Sequence, residues 1–128
     1  MQDYTKLKVW VKSHALTLAV YRATQTFPRH EVYGLSSQMQ RSSSSIAMNI
    51  VEGCGLSSNK ELLKHLHYAM GSAKELEYQL LLAKDLGYLS SERSTALRGH
   101  VSDVERMLSA LISTIKRGIA NPPTRTPP

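Results

Sequence analysis

Apolar residues recur along this chain every three or four positions, the spacing that gathers them on one side of an α-helix. Between residues 7 and 26 they are Leu7, Trp10, Leu18 and Tyr21, with Val9, Leu16 and Val20 beside them, and this broad stripe predicts a first helix. Phe27-Pro28 ends it, because proline restricts the residue before it and has no N–H to give to a helix interior. A second helix is predicted from Glu31 or Tyr33 to Val51 or Cys54, with Leu35, Met39, Ser43, Ile46 and Ile50 on one side and small residues on another. Gly53 and Gly55 supply its stop, and Leu56-Ser57-Ser58-Asn59 is turn chemistry.

Ser58 followed by Glu61 reads as a capping box that starts the third helix. Leu62, Leu66, Ala69, Ala73, Leu76, Leu80 and Ala83 then keep helical spacing as far as Gly87, which suits a left-handed C-terminal cap. The fourth helix begins at Ser90 or Ser91, carries Leu97, Val101, Val104, Leu108, Leu111 and Ile115, and ends near Gly118. Strand patterns are absent. Four helices with short connections bury their stripes most simply as an antiparallel up-down four-helix bundle, so an all-α fold is expected, with one bundle domain over residues 1–119. Residues 120–128 have no apolar period and are rich in proline, which predicts a flexible tail.

Composition narrows the class. Hydrophobic residues at 41% and charged residues at 20% exclude a disordered polyelectrolyte. Apolar runs such as Leu80-Leu81-Leu82-Ala83 fall far short of the ~20 residues that span a bilayer, so no membrane partner is expected. Residues 1–4 show no secretory leader, and the cytoplasm is the expected location. Cys54 is the only cysteine, which excludes an intrachain disulfide and a cysteine-based zinc knuckle. Sixteen Lys plus Arg against ten Asp plus Glu give +6, a balance that permits attraction to an anionic partner without demonstrating it. Within residues 1–51, Lys6, Lys8, Lys12, Arg22, Arg29 and Arg41 face only Asp3 and Glu31.

The candidate chemistry is mostly negative. Di-iron bundles need Glu-x-x-His pairs, which this sequence lacks; His65 and His67 lie two apart and point to different helix faces. Neither a metal nor a cofactor is expected. Cys54 sits at a helix C-terminus, whose negative pole would raise its pKa, so no catalytic nucleophile is expected. The serine run Ser42–Ser45 suits close helix packing. Asn49, Glu52, Glu75 and Glu77 recur beside the apolar seams of the two central helices and are expected to form a buried polar network fixing helix register or a subunit contact. Lys60, Lys64, His67 and Lys74 follow one another on the third helix, and Lys8 and Lys12 pair at i, i+4 on the first. With Arg41 these lysines are the candidate phosphate-tracking residues. Trp10, Tyr21, Tyr33, Tyr68 and Tyr78 lie at helical apolar positions, and core or subunit packing is their expected role.

Several of these residues occur in a recognisable order. Val9-Trp10, Phe27-Pro28, Glu31-Val32-Tyr33-Gly34-Leu35 with Gln38 and Arg41, Ser45-Ile46 and Asn49-Ile50-Val51-Glu52-Gly53 resemble the four-helix-bundle proteins encoded in intervening sequences of 23S ribosomal RNA. Glu61, Ala69-Met70-Gly71-Ser72, Glu75-Leu76-Glu77 and Leu86-Gly87-Tyr88-Leu89 continue the resemblance, which spans residues 7–89. More distantly the chain is similar to the accessory variability determinant proteins of diversity-generating retroelements, which bind nucleic acid. The resemblance implies a four-helix bundle assembled as a homo-oligomer, commonly a pentameric ring, with no enzymatic activity assigned. Two bases often present in the family are absent here: Gln40 precedes a single Arg41, and Leu56 follows Gly55.

The expected function is therefore that of a non-enzymatic, self-associating bundle that binds structured RNA or a ribonucleoprotein through a basic surface. The alternative is a protein-binding scaffold acting through a groove between subunits or through the Pro-rich tail. No small-molecule substrate is expected.

Overall fold

The helix boundaries follow from local chemistry. A computed structural model describes residues 3–121, with a 3-10 turn at Tyr4–Lys6, α1 at Lys8–Thr24, a second 3-10 turn at Arg29–Glu31, α2 at Leu35–Cys54, α3 at Asn59–Asp85 and α4 at Ser91–Ala120. Ser58 Oγ accepts the Glu61 N–H at 3.2 Å and starts α3; Ser90 Oγ accepts the Arg93 N–H at 3.1 Å and starts α4. Gly87, at φ 81°, closes α3, with its own N–H on the Lys84 carbonyl and the Tyr88 N–H on the Ala83 carbonyl, both at 2.9 Å. The tail from Pro122 onward lies outside the described residues.

Two boundaries differ from expectation. α1 stops at Thr24, where the Gln25 N–H turns to the Arg22 carbonyl and tightens the last turn. α2 starts only at Leu35. Residues 29–31 form a separate 3-10 turn, and Gly34, at ψ −118°, breaks the helical run between them. The Glu31 carboxylate then reaches forward to accept the Leu35 N–H at 3.1 Å and accepts a hydrogen bond from the Tyr88 hydroxyl at 2.9 Å. These two bonds, the first the stronger influence, hold the Glu31 carboxyl below its ordinary range. A methyl group on Gly34 would stand 2.6 Å from Glu31 Oε1, so glycine is what lets the carboxylate cap the helix.

The helices are antiparallel neighbours in chain order. Thr17 Oγ1 donates to the Ser43 carbonyl at 3.0 Å while Gln40 Nε2, earlier in α2, reaches Thr24. Asn49 meets His65 and Ser45 meets Ser72 across α2 and α3. Lys74 meets Glu105 across α3 and α4, and Asn59 at the start of α3 lies beside Gly118 at the end of α4. α1 also packs on α4, which closes the bundle, and α2–α3 is the most extensive of the contacts. Among the described residues there is no strand.

The predicted seams of α2 and α3 are the core, with Met39, Ile46, Ile50, Leu66, Leu76 and Leu80 fully buried. In α4, Leu111 is only half-buried and Ile112 takes the inner place beside it. α1 is the exception. Val9, Ser13, Leu16, Val20 and Ala23 face inward, whereas Leu18 and Tyr21 are exposed and Leu7 and Trp10 sit at the margin. Apolar residues occupy two sides of this helix, and the side that includes Ser13 and Ala23 can approach its neighbours more closely.

Leu76→Ala should cost about 2–5 kcal/mol in a denaturant titration, the range for a truncated core leucine. The Glu31 cap gives a pH signature. Because its folded pKa is depressed, its stabilisation is present above the unfolded carboxylate value and disappears as pH falls through the folded one. Tyr88→Phe should therefore lower the melting temperature clearly at pH 7 and much less at pH 3. An equal loss at both pH values would contradict this linkage.

Candidate functional site

Three surface regions carry the polar and apolar groups that the core does not use. The first is a groove of about 400 Å³ between α1 and α2, lined by Trp10, His14, Thr17, Ala47, Met48 and Val51, with Ser44 and Glu52 at its edge. Its floor is held close by the Thr17–Ser43 bond and by the small side chains at Ser44 and Ala47. Trp10 stacks on His14 at 5.2 Å and meets Tyr4 edge-on at 5.0 Å, so an aromatic row runs along the outside of α1. Val11, Leu18, Tyr21 and Met48 extend this apolar face into solvent, Met48 being 65% exposed.

The second region is polar and lies between α2 and α3. Asn49 Nδ2 donates to the Ser45 carbonyl at 2.9 Å, and Asn49 Oδ1 lies 3.0 Å from His65 Nδ1. Ser72 Oγ donates to Ser45 Oγ at 2.9 Å, and Glu52 stands 3.9 Å from His65 Nε2 at the rim. Of the polar residues singled out in the sequence, Asn49 and Glu52 meet here through His65. Glu77 instead pairs with Lys74 on the surface at 3.5 Å, and Glu75 is exposed with no hydrogen bond or ion pair among the described residues. Ser45, His65 and Ser72 were not among the residues expected in this network. Placing Asn49 and His65 opposite one another requires the register of two helices.

The third region is basic. α1 begins where α2 ends, since Trp10 and Val51 line one groove; α2 ends where α3 begins, since a methyl group on Gly53 would touch Leu62; and α4 ends beside Asn59. Lys6, Lys8, Lys12, Lys60, Lys64, Lys116 and Arg117 consequently share one end of the bundle, all exposed, against Asp3, Glu52 and Glu61. Lys8 and Lys12 stand two positions from Trp10 and His14 and so lie on a different side of α1 from the groove.

Four of the six candidate phosphate-tracking residues thus meet, and two do not. Lys74 is 14 residues beyond Lys60, about 21 Å farther along α3, and its ammonium is held by Glu105 at 2.9 Å and Glu77 at 3.5 Å. Hydrogen bonding and attraction from Glu105, then the charge of Glu77, raise its pKa. Arg41 lies exposed on α2, near the height of Lys74. Lys116 and Arg117 were missed in the sequence because only the antiparallel return of α4 brings them to the start of α3.

The tyrosines also differ from a core role. Tyr21, Tyr33, Tyr68 and Tyr78 are all exposed, Tyr33 at 97%. Helical spacing alone does not say which of two apolar sides packs inward.

Among the described residues no three His, Cys, Asp or Glu side chains group as metal ligands would, and none of the described helices is long and apolar enough to cross a membrane. Cys54 is 2% exposed, and burial raises its thiol pKa. A thiol reagent should therefore leave Cys54 unmodified in the native protein at pH 8 and modify it on unfolding in guanidinium; rapid reaction in the native state would refute this.

A family model described as 23S rRNA-intervening sequence protein matches residues 5–110. No curated protein gives a significant match. One solved structure, a protein with unknown function from the S23 ribosomal protein family of Bacteroides thetaiotaomicron, is similar with a TM-score of 0.74 at 24% identity, covering 81% of this chain and 97% of that one. That likeness is one of fold. Neither description assigns a catalytic activity.

Proposed function

Because the chain belongs to the 23S rRNA-intervening sequence protein family, we propose that it is a non-enzymatic cytoplasmic bundle that assembles with copies of itself and binds structured RNA or a ribonucleoprotein through its basic end. The observation that carries this reading is the separation of its two unused surfaces. Lys8, Lys12, Lys60, Lys64, Lys116 and Arg117 collect at one end, with Lys8 and Lys12 on a different side of α1 from the apolar groove. Phosphates held by several lysines release counterions, which favours binding at low salt without any base-reading motif. An apolar face on a second side of α1 is then available for assembly into a ring, five copies being the number that the resemblance implies. Repetition around a ring would multiply the field of each basic end.

A second reading rests on the groove itself. Its lining is mainly apolar, with aromatic walls and one carboxylate, which suits a segment of another protein better than a polyanion. On that reading the chain is a protein-binding scaffold. The other surface considered for it, the Pro-rich tail, lies outside the described residues.

Affinity for ribosomal RNA fragments should fall steeply between 50 and 200 mM salt, and Lys60→Glu with Lys64→Glu should weaken it at least tenfold and reduce the salt slope by about 2. Lys74→Glu, at a site already neutralised by acids, should change affinity less than threefold. A folded sample that binds no RNA at low salt would eliminate the RNA reading, and a protein partner recovered equally with and without nuclease would favour the scaffold.

A further inference from the structure

α3 carries a glycine that its own chain does not use. Gly71 lies in the middle of a 27-residue helix, exposed, and a methyl group built on it would meet nothing within 4 Å. Glycine in a helix interior costs about 1 kcal/mol relative to alanine. No turn, positive φ or close packing within the chain requires it. The residues around it form a continuous outward stripe, Tyr68, Gly71, Glu75 and Tyr78, at the i, i+3, i+7 and i+10 spacing of one helix face. Both tyrosines are more than half exposed, at 52% and 62%.

α1 presents a matching stripe. Val11 and Leu18 are 52% and 42% exposed, Ala15 is exposed between them, and Arg22 follows Leu18 by one turn on the same side. α1 contains no acidic residue, and neither Arg22 nor Glu75 enters an ion pair among the described residues. The stripes lie on α1 and α3, which are diagonal in the bundle and share no contact. They therefore cannot meet within one chain.

Their heights agree. Thr17 stands beside Ser43, and Ser45, two residues on, stands beside Ser72. Counted from these contacts at 1.5 Å per residue, Ala15 and Gly71 are level to within about 2 Å, and Leu18 is level with Glu75. α1 and α3 run in the same direction, and Arg22 stands about 6 Å, one turn, beyond Glu75, a distance its long side chain spans. A ring closes only if neighbouring copies are related by rotation without a shift along the axis, which requires the two surfaces of a head-to-tail contact to lie at one height.

Resting on the self-association read above, we propose that the outer face of α1 in one copy packs on the outer face of α3 in the next, with Ala15 seated over Gly71 between Tyr68 and Tyr78 and Arg22 reaching back one turn to pair with Glu75. The glycine admits the neighbouring helix at close range. The two tyrosines wall the contact. The opposite charges fix which helices pair and in which direction. Because the two faces differ, the contact is heterologous and leaves the basic ends of all copies on the same side of the ring.

The test is sedimentation equilibrium on the full chain, with far-UV circular dichroism as the fold control. Wild type should assemble. Gly71→Leu should raise the dissociation constant of assembly at least tenfold with unchanged helicity, because its added side chain meets nothing in the monomer. Glu75→Arg and Arg22→Glu should each weaken assembly similarly, and the two together should recover most of the loss. Wild-type assembly unaffected by Gly71→Leu, or a double charge reversal no better than either single one, overturns this interface while leaving self-association intact. A wild type that stays monomeric overturns both, and leaves the α3 stripe to a different protein.

Discussion

α2 packs against two helices at once through side chains that are mostly shorter than leucine. Ser42, Ser43 and Ala47 are buried, Ser45 is half-buried, and Ala69 and Ala73 of α3 and Ser13 of α1 are likewise enclosed. Small residues let helix backbones approach, and close approach increases the dispersion contact that each leucine and isoleucine beside them makes. The hydroxyls this brings inside need partners. Ser13 donates to the Val9 carbonyl at 2.7 Å, Ser43 to the Gln40 carbonyl at 3.0 Å, and Thr17 reaches across to α2. A buried hydroxyl without such a partner would carry its full desolvation cost.

That constraint decides what remains outside. With its small-residue side turned inward, α1 leaves Val11, Leu18 and Tyr21 facing solvent, a second apolar face on a helix that already fills the core. The same closeness of α2 and α3 brings Asn49 against His65 and Ser45 against Ser72. These bonds are directional, and a slip of one residue between the helices would break them, so they set register where apolar packing is tolerant.

Charge follows the helix order. α1 and α3 begin at the end where α2 and α4 finish, and the lysines near those four termini gather without any run of bases in the sequence. Arg117, in the last turn of α4, also opposes the negative pole of that helix. Lys74 shows the contrary case, since its spacing on α3 matches that of Lys60 and Lys64 while Glu105, brought in by α4, neutralises it.

Local rules determined the number of helices, the caps at Ser58 and Ser90, the stop at Gly87 and the inner seams of α2, α3 and α4, because each depends on residues within a turn or two of one another. Family membership was legible for the same reason, as an ordered set of short motifs. α1 was not settled locally. A helix apolar on two sides satisfies the same periodicity whichever side is buried, and only contact with α2 and α4 selected Val9, Leu16 and Val20 over Leu18 and Tyr21. The start of α2 likewise waited on Tyr88, which is 57 residues from the Glu31 carboxylate it steadies. The sequence by itself determined the elements of this protein, whose causes are short-range. The tertiary structure decided which faces and charges are left for partners, because those depend on which distant residues come to stand side by side.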